Sequence, residues 1–201
     1  MNHLRVLGIG AHPDDIEFGC FGTLARLSKG HSVHIIVLSQ GELGGSKKAR
    51  MEECRQSASL INADLRFLDY EDGDISVNAN SVLELRNCVQ SIDPSIVFTL
   101  CPQDTHQDHR HTSQITISAC RNVDEILFYE VPSTVNFCPN VFYDITDFFL
   151  LKESALSSHL SQNSKAYMDL RALEGLARAH AYHCGHKDRL FEAFQSYRTI
   201  R

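Results

Sequence analysis

Two short stretches of the chain carry the side chains that bind metals and move protons. Residues 8 to 15 read Gly-Ile-Gly-Ala-His-Pro-Asp-Asp, and residues 104 to 111 read Asp-Thr-His-Gln-Asp-His-Arg-His. In the first, His12 and Asp15 stand three apart, where a chain leaving a strand and entering a helix brings an imidazole and a carboxylate together; both are ligands for first-row metals. Asp14 is adjacent to Asp15 and so points elsewhere, which leaves a free carboxylate beside the metal in the position of a general base. His109 in the second stretch supplies a third ligand and completes a two-histidine, one-carboxylate site with room for water. Zinc in such a site lowers the pKa of a bound water from about 15.7 toward roughly 7. His106, three residues before His109, could stabilise the oxyanion of a tetrahedral intermediate as an imidazolium, and Asp108 could orient or charge that ring.

Each stretch has an ordinary reading when taken alone. An aspartate opening a helix is commonly an N-cap, and a His/Asp run after a strand can be a capped helix start with solvated histidines. A dinucleotide fingerprint is only weakly supported, because Gly8-x-Gly10 is followed by Pro13 where the third glycine belongs. The two stretches point to a metal centre only jointly, so the fold must bring them together.

The apolar runs at 4–10, 32–39, 64–68 and 95–100 are short and nearly continuous, as in strands covered on both faces. They alternate with helical patterns at 16–29, 47–61 and 80–92, the first ending at Gly30 as a left-handed stop. This rhythm predicts an α/β fold, a Rossmann-like doubly wound, mostly parallel sheet flanked by helices in one domain over residues 1–201. In such a sheet the first and fourth strands commonly meet at the topological switch point, where ligands gather beyond their carboxyl ends. His12 and His109 would then face one crevice. Beyond residue 120 the pattern weakens, with strands at 125–131 and 141–145 and helices near 147–160 and 165–182.

A net charge of −6 argues against a nucleic-acid partner, and no segment reaches membrane-spanning length. Seven cysteines, an odd number with no Cys-x-x-Cys pair, suit a reducing, cytoplasmic location. Oligomeric state is not legible.

The stretch from Ala11 to Gly45, together with His-Gln-Asp-His-Arg at 106–110, resembles the PIG-L/LmbE-like family of zinc-dependent N-deacetylases. The likeness continues through Arg50-Met-Glu-Glu-Cys, Phe137-Cys-Pro-Asn-Val-Phe-Tyr-Asp, Lys152-Glu-Ser-Ala-Leu and Phe191-Glu-Ala-Phe. The resemblance implies that His12, Asp15 and His109 bind zinc, with Fe(II) as an alternative, that Asp14 is the general base, and that His106 with Asp108 stabilises the transition state. It implies removal of acetyl from an N-acetylamino sugar conjugate of the N-acetylglucosamine type, with Arg50 binding substrate and Asp72 accepting sugar hydroxyls. Two departures stand out: Gln107 replaces a proline common in the second motif, and Asp104 and Thr105 stand where the family has a tyrosine.

The remaining histidines read as structural. His180, His183 and His186 lie three apart near Cys184 but lack a converging carboxylate motif, His31 and His34 sit at a strand, and His3, His111 and His159 read as solvated. Two rival functions share the ligand set: a non-haem iron oxygenase, and a nonenzymatic sugar- or nucleotide-binding module.

Overall fold

Chain segments apolar on both faces can be satisfied only at the centre of a covered sheet. The computed structural model, which describes residues 3–200, has β1 (Arg5–Gly10) there, buried from its second residue onward. It lies between β2 (Ser32–Ser39) and β4 (Ile96–Leu100), parallel to both. Beyond β2 the sheet adds β3 (Asp64–Tyr70), and beyond β4 it adds β5 (Glu125–Tyr129), again in parallel. The chain therefore moves outward from β1 to β3 and resumes on the opposite side at β4. That reversal opens a crevice beyond the carboxyl ends of β1 and β4, as the apolar runs predicted.

Two antiparallel strands complete the seven-stranded sheet: β6 (Val141–Asp144) and β7 (Phe191–Thr199), which lies between β5 and β6. Strand β7 has no apolar run in sequence to announce it. It carries Glu192, a charged residue that is nonetheless buried. The reason is specific: the Glu192 carboxylate accepts the backbone N–H groups of Gly22 and Thr23 at 2.9 and 2.7 Å, and Lys152 Nζ donates to it at 2.5 Å. The same ammonium donates to the Phe18 carbonyl at 2.6 Å.

This carboxylate explains a difference from the expected helix over 16–29. The chain forms two helices instead, α1 (Asp15–Gly19) and α2 (Phe21–Leu27), separated at Cys20 by a non-helical φ of −145°. The break frees the first N–H groups of α2 for Glu192, which meets the positive end of the helix. Nor does Gly30 act as a left-handed stop: α2 ends at Leu27, and the chain turns out through Gly30 N–H and His31 N–H, both donating to the Leu27 carbonyl.

The other helices are α3 (Lys47–Ser59), α4 (Ala79–Ile92), α5 (Gln107–Ala119), α6 (Phe149–Ser157) and α7 (Leu170–His183). The segment at 165–169, expected as part of the last helix, is a separate 3₁₀ turn before α7. Among the described residues no helix is long and apolar enough to cross a membrane, and all seven cysteines are free thiols.

Gly19 ends α1 flat against the fully buried ring of Tyr129, whose hydroxyl donates to the Ile9 carbonyl at 2.8 Å. A Cβ on residue 19 would stand 2.0 Å from Tyr129 Cδ2, so neither the ring nor the helix could stay in place. Gly19→Ala is expected to destabilise the fold by about 1–3 kcal/mol through overpacking. Chemical denaturation of the variant beside the parent protein measures this.

Candidate metal centre and active-site cleft

The turn after β1 is shaped by its two aspartates. Asp15 Oδ2 accepts the backbone N–H groups of Ala11 and His12 at 2.8 and 2.9 Å, which wraps the turn around the carboxylate and leaves Oδ1 facing His109. Asp14 has a φ of +108°, uncommon for a residue with a side chain. Its carboxylate diverges from that of Asp15 and meets the buried guanidinium of Arg50 at 3.2 Å. One turn thus sends two adjacent acids to different partners.

His12, just past the end of β1, and His109, in the first turn of the helix that follows β4, meet as the topology requires. His109 Nε2 lies 3.3 Å from His12 Nδ1 and 3.4 Å from Asp15 Oδ1, and His12 Nδ1 lies 3.8 Å from Asp15 Oδ2. The outer nitrogen of each ring is held by carboxylates. His12 Nε2 faces Asp72 Oδ1 at 3.0 Å and Asp108 Oδ2 at 3.1 Å, and His109 Nδ1 faces Asp104 Oδ1 and Ser133 Oγ, both at 3.2 Å. In neutral rings those carboxylates fix the protons on the outer nitrogens, so the inner nitrogens present lone pairs to each other. Two lone pairs at 3.3 Å repel unless a positive centre lies near both. Ligand atoms about 2.0–2.1 Å from a tetrahedral ion stand roughly 3.3 Å apart, so the spacing fits a divalent metal.

The protonation tendencies agree. Burial opposes a charge on His12, but the hydrogen bonds to Asp108 and Asp72 and the field of Asp15 outweigh it and raise the pKa to about 10. His109 is likewise raised: burial lowers it, and the Asp15 charge with the Asp104 hydrogen bond prevails. A place that draws protons onto two imidazoles favours positive charge of any kind, a dication included. Burial also lifts Asp14 to about 6, against the opposing pull of Arg50.

His106 caps α5, with Nδ1 accepting the Asp108 N–H at 3.2 Å, and its ring stacks on that of His109 with centroids 4.6 Å apart. Burial, followed by the neighbouring His109 and His12, lowers its pKa. Because Nδ1 accepts from a backbone N–H, the hydrogen of a neutral His106 ring sits on Nε2. The Asp108 carboxylate, expected to orient His106, instead binds His12 Nε2 and the Gly73 N–H, the latter at 2.7 Å. The reason is the helix itself: α5 turns the Asp108 side chain inward, where it is fully buried. His12, His106 and His109 form one group of converging ligand atoms, and His12, Asp72 and Asp108 form another.

Arg50 is buried and spans from Asp14 to the Gly41 carbonyl, so it is not a surface helix charge; its Nε has no partner among the described residues. Asp72 engages His12 through Oδ1 and the Leu43 N–H through Oδ2, both at 3.0 Å. Both Arg50 and Asp72 line a cleft of about 650 Å³ that opens onto His12, Asp14, Asp15, His106 and His109.

Sequence reasoning missed or misread five residues here. Asp104, with Ser133, positions His109, and its place two residues before His106 was the available signal. Tyr167, on the 3₁₀ turn Ala166–Met168, reaches the cleft and donates to Gln162 Oε1 at 3.1 Å; burial and the Asp14 charge push its pKa up to about 12. His159, read as solvated, is fully buried with Nε2 3.2 Å from Glu17 Oε1, because the turn after α6 packs under α1. His111 is half-buried, with Nδ1 bonded to the Ile75 carbonyl. The C-terminal histidines do not converge: His180 binds Glu130 at 2.7 Å, while His183 lies by Phe142 and His186 by Phe191.

Comparison with known proteins agrees with this geometry. The chain is 35% identical over 167 residues to the uncharacterized deacetylase YaiS of Escherichia coli (strain K12), covering 78% of this chain and 90% of that protein. It is 27% identical over 186 residues to the diacetylchitobiose deacetylase of Thermococcus kodakarensis, covering 79% and 70%. The crystal structure of the conserved protein TT1542 from Thermus thermophilus superposes with a TM-score of 0.89 at 25% identity, over 98% of this chain and 96% of that one. Residues 7–120 match the family model described as PIG-L, GlcNAc-PI de-N-acetylase, a span that contains both histidine-bearing turns and the strands that join them. The chain belongs to the PIG-L family.

Proposed function

We propose that this protein is a metal-dependent N-deacetylase that hydrolyses the acetamide of an N-acetylamino sugar conjugate of the N-acetylglucosamine type. His12, Asp15 and His109 would hold the ion, zinc in the first instance, with Fe(II) able to use the same ligands. When bound, such an ion acidifies a water and polarises the acetyl carbonyl. Family membership and the deacetylases among the relatives support the reaction class.

The observation that carries the reading is the Asp14 carboxylate. It stands outside the ligand set, lines the cleft, and is raised to about 6 by burial, a value suited to accepting and returning a proton near neutrality. A nonenzymatic sugar- or nucleotide-binding module has no use for such a group, and neither does an iron oxygenase. In the proposed reaction Asp14 takes the proton of the attacking water. His106 donates its Nε2 hydrogen to the carbonyl oxygen as negative charge gathers there. Asp14 then returns the proton to the departing amine, while Asp108 and Asp104 keep the rings of His12 and His109 in the required tautomers. Arg50, which lines the cleft, and Asp72, through its remaining lone pairs, are assigned to the sugar. The whole chain, residues 1–201, acts as one deacetylase domain on a small molecule, and its free thiols suit the cytoplasm.

The direct test is acetate release from a panel of N-acetylglucosamine derivatives by the zinc-loaded protein; absence of acetate from every member defeats the reading. Asp14→Asn is expected to retain metal while losing about 10²–10⁴-fold in kcat. His109→Ala is expected to lose the metal itself, as measured by elemental analysis after dialysis. Because the base works only when deprotonated, turnover should fall as pH drops through the Asp14 pKa, at or below about 6 once a cation adds its charge. Arg50 holds that pKa down, so Arg50→Met should move the acid limb of the kcat profile to higher pH.

A further inference from the structure

The charges that line the cleft are sorted by depth. Its carboxylates, Asp14, Asp15 and Asp72, lie at the floor, and each already faces a base: Arg50 at 3.2 Å, His109 at 3.4 Å and His12 at 3.0 Å. Toward solvent the lining carries Arg110, which is half-buried, and Lys165, which is exposed. Among the described residues neither of these cations forms an ion pair with a carboxylate. Elsewhere on the surface Arg5, Lys47, Arg171, Arg178 and Arg189 do, whereas Lys29, Lys48 and Arg121 stand without one among the described residues but line no part of this cleft.

Arg110 sits in the opening turn of α5, where the helix dipole disfavours a cation. Helix stability therefore gives no reason for it. Its Nη1 donates to the carbonyls of Asp104 and Thr105, both at 2.8 Å, which fixes the guanidinium beside the cleft and leaves Nε and Nη2 without partners among the described residues. A guanidinium held still with free donors is pre-organised for a carboxylate or phosphate. Lys165 adds a second, mobile charge to the same lining, and its side chain makes no hydrogen bond among the described residues. In a protein of net charge −6, two cations without carboxylate partners thus stand together toward the solvent side of one cleft.

We propose that Arg110 and Lys165 form a subsite for an anionic group, a carboxylate or a phosphate, on the part of the substrate that is not the N-acetylamino sugar. This rests on the deacetylase reading above and narrows it: neutral conjugates are the poorer substrates.

The test uses the zinc-loaded protein with three sugars, the methyl glycoside, the carboxymethyl glycoside and the 1-phosphate of N-acetylglucosamine, following acetate release and calorimetric binding in parallel. At least one charged sugar should exceed the methyl glycoside about tenfold in kcat/KM, through KM, with an advantage that shrinks as salt is added. The better of the two charged sugars identifies the anion. Lys165 is exposed and bonded only through its backbone, so Lys165→Gln should fold normally. It should lower the charged-to-neutral ratio, and adding Arg110→Gln should bring that ratio close to one. Equal KM values for all three sugars, or a preference that survives both substitutions, overturn the subsite. If no sugar releases acetate, the deacetylase reading fails. The subsite then stands or falls on whether the charged sugars bind more tightly than the methyl glycoside and lose that margin in the variants.

Discussion

Two imidazole nitrogens facing each other at 3.3 Å set the terms for the rest of the molecule. Left to themselves, neutral histidines at that distance would rotate or share a proton. Here Asp72 and Asp108 on one ring, and Asp104 and Ser133 on the other, remove that freedom from outside. The carboxylates must in turn be held: Asp108 by the Gly73 N–H, Asp72 by that of Leu43, and Asp104 by the His106 N–H and the Thr134 hydroxyl. These supports come from different loops beyond the carboxyl edge of the sheet. The candidate metal centre is thus the point where the loops after β1, β2, β3, β4 and β5 become mutually fixed.

The same arrangement separates two tasks that adjacent acids would otherwise confuse. Asp15 spends one oxygen on the backbone of its own turn and offers the other to the centre, whereas Asp14, turned away by its positive φ, keeps a proton affinity set by burial and tempered by Arg50.

How much of this was legible in the sequence depended on what each residue's partners were. That His12, Asp15 and His109 come together was readable because the strands preceding their turns are continuous apolar runs, and such runs dictate a parallel sheet whose first and fourth strands adjoin. Asp14 followed from its adjacency to Asp15. Strand β7 was hidden because its burial relies on a charge, Glu192, neutralised by Lys152 forty residues earlier, a pairing no local pattern announces. His159 was misread for the same reason: a histidine with Glu17 beneath α1 looks, in sequence, like any polar residue after a helix. The partner of Asp108 depended on side-chain direction at a helix start, which spacing alone does not resolve.

The hold of Glu192 on the first amides of α2 has a bearing on biosynthesis. During translation the residues of the candidate metal centre leave the ribosome well before β7 is made. Until that strand arrives, Lys152 has no carboxylate to enter the interior with, and the helix pair behind the histidine turn lacks its anchor. A nascent chain that has already exposed both histidine-bearing turns still lacks the residue that fixes the helix pair behind the first of them, so the cleft can take its final form only once residue 192 has been made.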